Sequence, residues 1–141
     1  MNAPVALVPL VVLLPLIGAG AALALGRRAR AQRVLAVAAL VGMLAVSIVM
    51  LVAADTGGPL VMEVGGWAAP YGIVLVVDRL AALLLAISAI VLLAVLLFSV
   101  GQGLADGDAE TPVTIYYPTY LILAAGVAIA FIAGDLFNLY V

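Results

Sequence analysis

An all-α integral membrane fold is predicted for this 141-residue chain: four transmembrane helices plus the start of a fifth, with a short extracytoplasmic β-hairpin between helices 2 and 3. Three observations predict it. First, 69% of the residues are hydrophobic and 9% charged, against roughly 45–50% and 25% in soluble domains. Second, the few ionisable residues are bunched, leaving uncharged stretches close to the ~20 residues that a hydrocarbon core requires. Third, residues 55–77 break the pattern with glycines, prolines and β-branched runs.

The first span covers residues 3–26. It lacks the basic leader of a signal peptide and is longer than a signal peptide's apolar stretch, so it reads as a retained helix. Pro15 kinks this helix rather than ending it, since neighbouring helices can re-satisfy the freed backbone groups. GRRARAQR follows, carrying Arg27, Arg28, Arg30 and Arg33. A short basic loop is held in the cytoplasm, and the same side chains can bind anionic lipid head groups. The two effects are compatible. With that loop inside, the N-terminus lies outside, and so does the segment after the second span, residues 34–54.

In residues 55–77, the runs LVMEV and GIVLVV are separated by GGWAAPY. This is the pattern of a hairpin with a longer loop. It cannot span, because Glu63 and the loop backbone would lack partners in lipid. Trp67 and Tyr71 suit the head-group level, where an amphipathic ring meets both phases.

The third span, residues 79–100, follows Asp78 as its N-cap, with Arg79 snorkelling to the outer head groups. GQGLADGDAETP then reads as a solvated cytoplasmic loop; its DGDAE lacks the order of an EF-hand. The fourth span, residues 114–133, opens at YYPTY, where Pro118 fits a first helical turn. Tyr116, Tyr117 and Tyr120 are expected to form an interfacial belt.

Asp135 stands inside an apolar run, yet it is not a midplane acid. At ~1.5 Å per residue, the interval from Tyr117 to Asp135 is about 27 Å, nearly the whole hydrocarbon thickness. Gly134 suits a helix end, and Asp135 suits the N-cap of a fifth helix beginning at residues 135–141. Asn138 falls on the same helical face as Asp135, and these two are the candidates for lining an ion pathway. A helix that starts so near Val141 implies the N-terminal part of a longer protein.

The chain contains no cysteine and no histidine. That excludes disulfides, thiolate or imidazole metal sites and haem ligation, and no metal or other cofactor is indicated. No phosphate-binding glycine loop and no basic–aromatic interleaving is present, so nucleic acid is not an expected partner.

VGGWAAPYGIVLVVDRLAALLL (64–85) and YYPTYLILAAGVAIAFIAGDLFNLYV (116–141) resemble the D subunits of Mrp-type multisubunit Na⁺/H⁺ antiporters. The wider group includes membrane-arm subunits of respiratory complex I and hydrogenases. The resemblance implies a fold of about fourteen helices with inverted repeats, and sites at the midplane. It also implies a proton-carrying glutamate in the fifth helix, just beyond Val141, so no catalytic residue is carried onto this chain. The implied partners are other antiporter subunits in a hetero-oligomer, membrane lipids, and Na⁺ and H⁺ as transported ions, in a prokaryotic plasma membrane. Two alternatives are a proton-pumping subunit of a redox complex and a small four-span assembly protein.

Overall fold

A computed structural model describes residues 4–26, 28–67, 71–103, 115–135 and 139–140. Four helices pack side by side with a two-stranded sheet across one end.

Helix α1 spans Leu10–Ala24 and is preceded by a 3-10 turn over Val5–Leu7. The break falls at Pro9, which has no N–H to carry the ladder back across it. Its carbonyl still accepts from Val12 and Leu13, at 3.2 and 2.9 Å. Pro15 lies inside α1. At the other end Gly26 takes φ 56°, the left-handed setting that commonly terminates a helix and that side chains with a Cβ resist.

Helix α2 spans Ala29–Gly57. Its 29 residues make it about 43 Å long, well beyond a hydrocarbon core of ~30 Å. The hydropathy boundary at Val34 therefore underestimates it. Arg30 and Arg33 sit on its first turns rather than in a loop, and Asp55 sits on its last turn rather than in the hairpin. A helix does not unwind where charge begins; it simply emerges from the apolar phase.

Strands β1 (Leu60–Glu63) and β2 (Val74–Val77) pair antiparallel, with Leu60 opposite Val77 and Met62 opposite Leu75. Alternation puts these four on one face. Leu60, Leu75 and Val77 join the buried core, with Met62 packed against it. The sheet thus lies on the ends of the helices like a cover.

Helix α3 spans Arg79–Gly101 and α4 spans Tyr116–Ile132. Among the described residues, three helical segments are long and apolar enough to cross a membrane: Val5–Ala24, Ala29–Gly57 and Arg79–Gly101. Helix α4 is also apolar but has 17 residues. These features describe a multi-pass membrane protein. Its outer surface is consistent with that, since Ile17, Val34 and Phe98 are each about two-thirds exposed and sit on a surface with few charges.

The helix interfaces use small residues. Helix α1 packs mainly on α4, and α2 on α3. Gly18, Ala19 and Ala22 face inward from α1, Ala82, Ala86 and Ala89 from α3, and Ala124, Ala125 and Ala128 from α4. Lipid tails are as apolar as leucine, so helices gain from close backbone approach rather than from hiding bulk. Gly18 is a tight point of this packing: a Cβ there would lie 3.1 Å from Ala39 Cβ and 3.2 Å from Leu121 Cδ1. Replacing Gly18 with valine should separate α1 from α2 and α4 and destabilise the fold by about 1–3 kcal/mol. Gly20→Ala, where a Cβ meets open space, should be neutral or slightly stabilising. Thermal unfolding of the detergent-solubilised protein distinguishes the two.

Candidate functional site

Among the described residues, the arginines and acids are confined to the two ends of the bundle. Arg28, Arg30 and Arg33 lie where α1 hands over to α2. Asp55, Glu63, Asp78, Arg79 and Asp135 lie at the hairpin end. Arg27 and Asn138, together with the acids of the segment 104–114, lie outside the described residues. Among the described residues, no three acids come together as a metal site.

At the arginine end the turn is closed by Gln32, a residue that the basic cluster around it conceals in the sequence. Gln32 is buried, and its Nε2 donates to the carbonyls of Ala22 at 2.9 Å and Gly26 at 2.6 Å. The Ala22 carbonyl also accepts from the Leu25 amide at 3.2 Å, so Gln32 adds a second donor there and supplies one to Gly26 beyond the helix end.

At the hairpin end Asp78 is the N-cap of α3. Its Oδ1 accepts from the Ala81 amide at 2.7 Å, the third helical position, as an N-cap requires. Arg79 departs from simple snorkelling. Its Nε is 3.1 Å from Asp55 Oδ1 and its guanidinium donates to the Asp55 carbonyl at 2.9 Å. The arginine therefore caps the C-terminus of α2, where a cation complements the helix dipole. The two side chains are 69% and 68% exposed, so solvent screens the ion pair and leaves it worth little.

Trp67 and Tyr71 are exposed at the hairpin tip. The tyrosine belt needs correction. Tyr117 is fully buried in the core. Its ring meets Tyr116 edge to face at 5.5 Å, and Tyr116 stacks on Tyr120 at 5.9 Å. The Tyr120 hydroxyl donates to the Leu92 carbonyl of α3 at 2.7 Å. Interfacial composition cannot tell a ring that faces lipid from one that faces the next helix; here α4 turns Tyr117 inward and commits Tyr120 to an interhelical bond.

Helix α4 stops at Ile132, and Ala133 is extended at φ −60°, ψ 115°. Ala133 bridges Leu75 antiparallel, and the Gly134 amide donates to the Val74 carbonyl at 2.9 Å. Asp135 follows at once, half-buried, and its carbonyl accepts from the Leu139 amide at 3.1 Å. That is the i to i+4 spacing of an opening helical turn.

This arrangement of helices and hairpin superposes on one chain of a solved Mrp complex from Dietzia sp. DQ12-45-1b with a TM-score of 0.85. The match has 31% identity and covers 99% of this chain and 25% of that one. The D subunit of the Na⁺/H⁺ antiporter of Alkalihalophilus pseudofirmus is 40% identical over 135 residues, 96% of this chain and 27% of that protein. The chain is a relative of the Mrp antiporter D subunits. The corresponding D subunit of Bacillus subtilis is 36% identical over 133 residues, 92% of this chain and 26% of that protein. This Mrp D-type chain thus spans about a quarter of the length of these relatives. No family model matches it.

The two charged features at the head of α3 differ in worth. Asp78→Ala should lower stability by about 1 kcal/mol through loss of the cap. Asp55→Asn should change it by less than about 0.5 kcal/mol, because the pair is exposed. Chemical denaturation of the two variants in the same detergent checks the order.

Proposed function

We propose that this chain forms the scaffold portion of the D subunit of a monovalent cation/proton antiporter, working in a multisubunit complex that couples proton influx to cation efflux. The observation that carries this reading is agreement in fold and sequence over nearly the whole chain with a member of an Mrp complex. It is a transport role rather than an enzymatic one, with Na⁺ the first candidate cation and other antiporter subunits and lipids as partners.

In this reading α1 to α4 are four spans, with α4 completing its crossing through the extended residues that meet β2. The N-terminus and the hairpin face outward, and the arginine end faces the cytoplasm of a prokaryotic cell. The separation of arginines from the hairpin supports that orientation. Asp135 sits at the outer mouth of the bundle, where an ionised acid can remain near water and draw cations towards a pathway.

Two experiments test the reading. The chain has no cysteine, so single variants report side cleanly: Glu63→Cys should react with an impermeant thiol reagent added to intact cells, and Arg30→Cys should not. Inverted vesicles holding the full complex should dissipate a respiration-generated pH gradient when Na⁺ or K⁺ is added. Quinone-linked NADH oxidation with no cation-dependent dissipation would replace the antiporter with a redox-driven pump.

A further inference from the structure

Gly134 has no positive φ to explain its identity. What it has is a close approach. A Cβ at this position would lie 2.7 Å from the Val74 carbonyl oxygen and 2.7 Å from Val76 Cγ2, nearer than side chains come to backbone without displacement. Glycine commonly marks such points where another backbone must pass. The hydrogen bond from Gly134 to Val74 and the bridge from Ala133 to Leu75 pair Ala133–Gly134 with the second edge of β2 as an isolated antiparallel bridge.

Strand β2 is itself firmly held. It pairs with β1 on its other edge, buries Leu75 and Val77 in the core, and runs directly into Asp78, the cap of α3. The residues that follow α4 are thus bonded to an element continuous with α3. One residue later the Asp135 carbonyl accepts from the Leu139 amide. Between Ile132 and Asp135 the chain therefore has almost no freedom to choose where the next helix starts.

We infer that this edge of β2 and Gly134 form a latch that sets the origin and direction of the helix beginning at Asp135, making Gly134 a positioning residue for transport. The inference rests on the antiporter reading for its functional half only. A displacement of about 1 Å at an origin is carried along the helix that grows from it, and such errors in placing reacting groups cost on the order of a hundredfold in rate.

The test uses the full complex in lipid nanodiscs and in vesicles. In the wild type, hydrogen exchange at single-residue resolution should find the Gly134 amide protected about tenfold or more relative to an exposed turn amide. Free exchange there would overturn the latch. Gly134→Ala should keep the complex assembled, raise exchange at position 134 by about tenfold, and lower the maximal cation/proton exchange rate per assembled complex by about ten- to a hundredfold. The cation KM should stay within about twofold, as expected when an interaction needed only for the rate-determining step is lost. Gly126→Ala, also on α4 but facing open space, should match the wild type in every readout. Loss of activity only in proportion to lost complex, or full activity with the latch opened, would overturn the positioning role. Absence of cation exchange in the wild type would remove the antiporter reading while leaving the hydrogen-exchange test of the latch intact.

Discussion

A peptide group that leaves a helix in or near hydrocarbon must find its partner within the protein, because lipid supplies none. Four helix ends of this bundle are built around that constraint, each by a different device. A buried amide, Gln32, collects the carbonyls at the end of α1. A guanidinium, Arg79, collects one at the end of α2. A carboxylate, Asp78, receives an amide at the start of α3. At the end of α4 backbone pairs with backbone across to β2. The first three can be lost one side chain at a time. The fourth depends on the absence of a side chain, since only glycine lets the strands close.

The bundle and its hairpin were legible because they follow from composition. Apolar runs of bilayer length have few other folds open to them, and β-branched runs punctuated by glycine and proline between two spans leave little but a hairpin. Asp78 was legible for a local reason: a short acceptor directly before an apolar helix suits an N-cap. The contacts that escaped are long-range. Asp55 and Arg79 are 24 positions apart and meet only because the hairpin folds α2 and α3 side by side. Gln32 was hidden among arginines whose charge dominates that segment. Tyr117 escaped because the direction of a ring around a helix is set by packing, and an apolar helix carries no amphipathic pattern from which to read it.

Charge placement follows from the same economy of polar groups. Apart from tyrosine, the ionisable side chains of the described residues sit at the two ends of the bundle, while its interior is built largely of alanine and leucine. Small side chains permit close packing. Under the antiporter reading that is a useful division of labour. A rigid, uncharged bundle can carry the electrostatic strain of a neighbouring pathway without itself offering a leak.

Rigidity of this kind has a direction. Helices packed closely through alanine tend to shift as bodies. The hairpin then decides which bodies move together. Strand β2 is covalently continuous with α3 and hydrogen-bonded to the end of α4, and β1 is continuous with the end of α2. Helices α2, α3 and α4 are thereby tied at one end, whereas α1 joins the group through its packing on α4 and α2, through the contact of its leading 3-10 turn with β1, and through Gln32 at the opposite end. A tilt of α4 must either drag the hairpin and α3 with it or break the pairing at Gly134. A motion of α4 is therefore resisted at the hairpin face.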